Sequence, residues 1–223
     1  MIDLFAAAWH YVAGNPAPFF RALGVHISLS ALALTIGALV AIPLAVWLER
    51  RGGVIALAGI NVANIGRTLP SLAILALVMP LLGTGFAPSL FALSLLALPP
   101  ILVNAYTGMH GVDADVVDAA RGMGMTEREL LRRIELPIAL PVIFAGLRTA
   151  AVQVVSGAVL AAFIGGGGLG DYITAGIAMM SMHHLLVGAI PVTLLSLGAD
   201  ALFGGLQRRL TPLGLRTAEA VTP

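Results

Sequence analysis

The chain of 223 residues is 59% hydrophobic and 10% charged, with a formal net charge of +1 and no cysteine. So apolar a composition exceeds the usage of water-soluble domains, and these figures exclude disulfides, cysteine-based zinc sites, thiol nucleophiles and a basic nucleic-acid footprint. Several uncharged stretches reach the ~18 residues that read as a spanning helix, so the expected class is an all-α, polytopic membrane protein.

The first segment, residues 1–20 (MIDLFAAAWHYVAGNPAPFF), has no basic stretch of the kind that opens a signal peptide, and Gly14, Asn15, Pro16 and Pro18 interrupt it. It reads as a short helix lying in the membrane interface, with Trp9 and Tyr11 at headgroup level. Residues 21–209 read as a single transmembrane domain, and 210–223 as a cytoplasmic tail.

Span one, Gly24 to Leu48, carries no formal charge and ends at ERRGG. From Gly52 to Val112 the only formal charge is Arg67, and the turn residues of GTGFAP, Gly83 to Pro88, divide the stretch into spans two and three. Span two cannot begin after Arg67, because Thr68 to Leu82 would reach only about 22 Å. Arg67 is therefore expected at membrane depth, with Pro70 kinking the helix and freeing backbone groups. Arg67, Thr68, Pro70 and Ser71 are candidates for lining a translocation pathway; packing is an equal alternative. Span three runs from about Pro88 to Tyr106 and adds Asn104 as a weaker pathway candidate.

The next stretch, DAARGMGMTERELLRRIELP, concentrates charge in a chain that elsewhere avoids it. Asp113 is placed to cap a first short helix, Gly124 suits the left-handed position that ends it, and Thr126 with Glu129 forms a capping box that starts a second. Pro137 is expected to stop that second helix. Ala119 and Ala120 leave the first helix nearly bare, and Leu130, Leu131, Ile134 and Leu136 give the second an apolar edge. So compact a helix, glycine turn and helix fits a groove of a soluble partner; the alternative is an amphipathic loop lying on the headgroups.

Span four, about Pro141 to Ile164, carries Arg148, Gln153 and Ser156, and span five, about Leu185 to Leu206, carries Asp200. Intramembrane charges are costly and pair, so Arg148 and Asp200 are expected to meet each other or to pair across a dimer. Gln153 and Ser156 are further pathway candidates, although a mid-helix serine more often bonds its own backbone. Between these spans lies GGGGLGD, which lacks the Gly-Lys-Ser/Thr ending of a phosphate loop. Its glycines suit a sharp backbone re-entry, and Gly168, Gly170 and Asp171 are candidates for docking a solute-binding protein. His183 and His184, adjacent on a helix, should face apart, so interfacial anchoring is expected and no metal site.

Five spans put the termini on opposite faces. In this topology Arg50, Arg51, Arg121, Arg128, Arg132, Arg133, Arg208, Arg209 and Arg216 share one side, and Arg21 alone occupies the other. The positive-inside rule then places the N-terminus outside, and the charged loop and C-terminus in the cytoplasm.

The pattern Asp118-Ala119-Ala120, three residues, Gly124, nine residues, Ile134, one residue, Leu136-Pro137 resembles the EAA loop of the permease subunits of bacterial ATP-binding-cassette importers. That family usually opens the motif with Glu; Asp118 keeps the charge on a shorter arm. The resemblance implies that Asp118, Ala119, Ala120, Gly124, Met125, Thr126, Ile134, Leu136 and Pro137 couple the spans to a cytoplasmic ATPase. ATP and Mg would then be bound on that partner and no cofactor on this chain. It further implies a pair of permease subunits, identical or not, two ATPase subunits, an extracytoplasmic solute-binding protein, and residence in the bacterial inner membrane.

The stretches NIGRTLPSLAIL, NAYTGMHGVDADVVDAARGMGM, ELPIALPVIFAGLRTA and AAFIGGGGLGDYI look most like permeases for glycine betaine, choline and carnitine, and next like methionine-importer permeases. For a quaternary ammonium cargo, an arginine in the path repels and does not bind, and few aromatics are available for a cation–π cage. Two rival classes remain. One is an intramembrane serine hydrolase using Ser156 with His183 or His184 as base. The other is an ion-coupled transporter, poorly matched by five spans without an evident repeat.

Overall fold

The computed structural model describes residues 2–211. The elements in order are α1 (Ile2–Gly14), α2 (Pro16–Arg51), α3 (Gly53–Thr68), α4 (Ser71–Leu82), α5 (Phe86–His110), α6 (Ala114–Gly122) and α7 (Glu127–Leu130). After α7 come a π turn (Leu131–Glu135), α8 (Leu136–Gly157), a 3₁₀ turn (Ala158–Ile164), α9 (Gly170–Ala178) and α10 (Met182–Leu210).

Among the described residues four helical runs are long and apolar enough to cross a membrane: α2, α5, the continuous stretch Glu127–Ile164, and α10. The expected second span is instead a broken pair, α3 and α4, bent by 99°. Pro70 is the cause. A residue before proline is driven out of the helical region, and Leu69 is extended at φ −69° and ψ 128°, so the chain ends one helix and starts another in place of a kink.

The N-terminal break falls at Asn15 alone. Pro16 and Pro18 lie in the first turn of α2, where a missing N–H leaves no gap in the helix. Helix α1 docks on the protein: the Tyr11 ring meets His184 edge-on at 4.5 Å and Tyr172 at 6.2 Å. Trp9, at 71% exposed, is the ring left for the interface, whereas Tyr11 turns inward.

Helix α5 is the core, packed against α2, α3, α4 and α8. In a bilayer, apolar surface gains little from leaving lipid, so helices associate through small residues that let backbones approach. Gly37 of α2 lies so close to Ala97 that a methyl there would sit 2.6 Å from the Ala97 Cβ. Gly146 of α8 meets α5 likewise: a methyl there would lie 2.9 Å from the Pro100 carbonyl and 2.6 Å from the Asn104 Cβ. Asn104 itself donates to the Pro100 carbonyl of its own helix, so it is a packing residue at this crossing.

Candidate functional site

The charged loop is built largely from its own residues. The Asp113 side chain accepts from the Asp115 amide and starts α6, and Gly124, at φ +81°, turns the chain. Thr126 and Glu129 complete both halves of the capping box. Ala120 is buried beneath the loop, while Ala119 and Asp118 are exposed. The loop therefore presents its acidic residue and one alanine outward.

Pro137 does not stop the second helix. The chain passes from α7 through the π turn into α8 unbroken, with the Leu136 amide donating to the Leu131 carbonyl. A proline inside a helix lacks one donor and crowds the carbonyl one turn earlier; the wider π turn absorbs that misfit. The second loop helix is thus a prolongation of span four, and Ile134, Leu136 and Pro137 lie in this join.

A set of ion pairs braces the loop, and spacing along the chain does not reveal the long-range ones. Arg50, near the end of α2, donates to Glu127 at 3.1 Å and to Glu135, whose side chain is only 7% exposed. Arg121 of α6 donates to Glu127 at 3.0 Å and lies 3.6 Å from Asp118. Span one, both loop helices and the root of span four are joined through these charges. Glu49 lies 3.8 Å from Arg50, an ion-pair distance too long for a hydrogen bond.

A second polar site lies between α8 and α10. Arg148 donates through Nε and Nη2 to the two carboxylate oxygens of Asp200, both at 2.6 Å. Gln153 and Ser156 line the same hollow, of about 630 Å³. The Ser156 hydroxyl bonds Ser196 of α10 at 3.1 Å and not its own backbone. The other pathway candidates do not join this group: Asn104 is at the α5–α8 crossing, and Arg67, Thr68, Pro70 and Ser71 sit at the α3–α4 break, where Thr68 bonds the Ile65 carbonyl.

At the opposite end of span four, Gly165, Gly167 and Gly168 have φ of +72°, +77° and +98°, so the glycine loop does make the sharp re-entry. Gly168 and Gly170 are buried and cannot themselves touch a docking protein. A methyl on Gly170 would lie 2.2 Å from the Val159 carbonyl, and one on Gly168 would lie 3.3 Å from the His26 ring. Among the three docking candidates only Asp171 is exposed, and partial burial pushes its carboxyl above the ordinary range.

His26, missed from the sequence, is fully buried on α2 and bonds the Val155 carbonyl at 3.0 Å, tying span one to span four beneath the glycine loop. A lone ionisable residue in a span was signal enough to find it. His183 and His184 do not face apart: at the start of α10 both rings meet the Ser181 hydroxyl, at 3.0 Å each. No cluster able to hold a metal occurs among the described residues. Ser196, the partner of Ser156, lies twelve residues along α10 from His184, about 18 Å, so neither histidine reaches Ser156 as a base.

Residues 27–212 match the family described as "Binding-protein-dependent transport system inner membrane component". The choline transport system permease protein OpuBB of Bacillus subtilis (strain 168) is 46% identical over 194 residues, covering 86% of this chain and 88% of that protein. The carnitine transport permease protein OpuCB of Listeria monocytogenes is 43% identical over 193 residues, covering 86% and 88%. Among solved structures, an inward-facing form of the MetNI methionine ABC transporter superposes with a TM-score of 0.74 at 20% identity, covering 86% of this chain and 96% of that one. An amino acid ABC transporter with histidines gives 0.71 at 21% identity, covering 90% and 97%. These two likenesses show the fold.

Proposed function

The chain belongs to the family of inner membrane components of binding-protein-dependent transport systems, and on that premise we propose that it is the spanning subunit of an ATP-driven importer for quaternary-ammonium osmoprotectants such as glycine betaine, choline or carnitine. Relatives named for choline and carnitine transport, at 43–46% identity over most of both chains, support this cargo over methionine.

The observation that carries the mechanism is the unbroken run from Glu127 to Ile164. A loop helix seated in a cleft of an ATPase subunit would move span four directly, because no flexible joint lies between them. Asp118, Ala119 and Met125 offer the outer contact, Gly124 sets the angle, and Arg50 ties span one to the same movement. Closure of two ATPase subunits on ATP would then shift a pair of permease chains between inward-open and outward-open states. ATP and its Mg belong to the ATPase.

In this reading the N-terminus faces outward, the loop and the C-terminal tail face the cytoplasm, and residues 1–20, 21–209 and 210–223 act as interfacial segment, transmembrane domain and tail. The tail from residue 212 on, with Arg216, lies outside the described residues. An extracytoplasmic binding protein would deliver the solute near Asp171.

The test is reconstitution with the ATPase and binding protein, measuring ATP hydrolysis with glycine betaine, choline, carnitine or methionine. Stimulation by one or more of the first three is expected. Stimulation by methionine alone would overturn the cargo, and no associated ATPase would overturn the importer.

A further inference from the structure

The Arg148–Asp200 pair sits where a structural ion pair has little reason to be. Its side chains are 43% and 41% exposed, on a face of α8 and α10 that also carries Thr149, Gln153, Ser156 and Gln207. Elsewhere α10 shows lipid-compatible residues such as Leu194, Leu197 and Leu202. An ion pair open to hydrocarbon is costly, and charges within spans face a bundle interior or water. The polar face of this hollow is therefore the side turned to an aqueous path.

The geometry of the pair is that of a guanidinium fork on a carboxylate, two parallel short bonds. Any carboxylate of the same shape can take the place of Asp200 on that fork. Gly204 leaves room for the exchange: a methyl there would lie 3.4 Å from the guanidinium carbon and from Nη1, so the arginine lies on bare backbone. Displaced, the Asp200 carboxylate becomes a free anion beside a bound acid, ready for a cation without hydrogen-bond donors. A small zwitterion carrying a carboxylate and a quaternary ammonium supplies both halves and adds no net charge to the site. No aromatic ring lines the hollow, so there is no cage to hold the ammonium strongly. A weak site suits a solute that must leave again.

Resting on the cargo reading above, we propose that Arg148 and Asp200 form a transit site in which a zwitterionic osmoprotectant exchanges with the ion pair, its carboxylate on the Arg148 fork and its ammonium beside Asp200. Choline, a cation alone, meets Asp200 only and is repelled by the guanidinium. The two residues thereby set which charge pattern passes.

The experiment uses the complete transporter in proteoliposomes, with labelled glycine betaine and labelled choline measured side by side, and melting temperature as a folding control. Arg148→Gln is expected to lower glycine betaine uptake about tenfold or more while choline uptake holds or rises, since a bare Asp200 favours the cation. Asp200→Asn is expected to reverse that selectivity. Arg148→Lys keeps the charge without the fork, guards against misfolding, and is expected to lower glycine betaine uptake more than choline uptake. Equal losses of both solutes in these variants, or no loss, would mean that the pair only holds α8 to α10. Wild-type uptake of neither solute would defeat the cargo reading itself, and uptake of choline alone would defeat the transit site. If only glycine betaine is taken up, its loss in Arg148→Lys at unchanged melting temperature supports the site, and its retention overturns it.

Discussion

Arg50 and Glu135 are 85 residues apart in sequence and form an ion pair with Glu135 nearly buried. The pair joins the C-terminal end of span one to the π turn at the root of span four, and through Glu127 the same arginine reaches the second loop helix.

Arg50→Gln should therefore impair coupling more than folding. The exposed Glu127 contact contributes about 1 kcal/mol or less, whereas Glu135 is left nearly buried without its cation, a cost of roughly 3 kcal/mol that protonation of Glu135 reduces, so the melting temperature should fall by no more than about 10 °C. Solute-stimulated ATP hydrolysis should fall several-fold at unchanged membrane insertion; a full solute response would show that the clamp carries no movement.

At Gly124 the backbone is left-handed at φ +81°, with open space around the position. A side chain there costs roughly 1–2 kcal/mol through backbone strain and clashes with nothing. Gly124→Leu is expected to insert normally and to hydrolyse ATP with transport lost. Gly124→Asn, which tolerates the left-handed region, should retain most transport.

Pro137→Ala restores a backbone donor to the join between loop and span. With that donor present, the π turn can relax to an α turn, turning the loop helix by about 100° relative to span four. Thermal stability should hold or rise while transport drops. A variant with normal transport would mean that the π turn is maintained without the proline.

The glycine loop and α9 depend on backbone contact. Gly170→Ala would drive a methyl to 2.2 Å from the Val159 carbonyl, and Gly176→Ala to 2.5 Å from the Leu185 nitrogen. Each should cost about 1–3 kcal/mol, read as a fall in melting temperature. Gly205→Ala, with nothing within 4 Å, is the control and should be neutral.

Asp171 gives a pH-dependent prediction. Because burial raises its folded pKa, the charged form slightly disfavours the fold, and that cost is relieved as pH falls through the raised value. Asp171→Asn should thus be neutral or mildly stabilising at pH 7. If its charge receives the binding protein, docking should weaken on acidification before an ordinary carboxylate would titrate, and the Asn variant should lose that pH dependence.

Local devices were legible in the sequence because their causes are local. The Asp113 cap, the Thr126–Glu129 capping box and the Gly124 turn follow from residue type and spacing. The Arg148–Asp200 contact also followed, since two charges in apolar spans have few other partners. What escaped depended on the rest of the helix or on distant chain. Pro137 reads as a stop unless a π turn is available, and Pro70 reads as a kink although Leu69 breaks the helix outright. The Arg50 clamp joins residues that no periodicity connects, and the burial of Gly168 and Gly170 becomes visible only when His26 and Val159 arrive beside them.

The continuity of residues 127–164 has a mechanical meaning. Thirty-eight residues of unbroken helix make a lever about 57 Å long, with one end at the capping box and the other at the glycine loop above His26. Its fulcrum is the crossing with α5 near mid-length, where a methyl on Gly146 would lie 2.9 Å from the Pro100 carbonyl. The arms on either side are nearly equal, so a push of a few ångströms on the loop end would be returned at the glycine-loop end in the opposite sense and by a similar amount, and the two faces of the membrane need no relay between them.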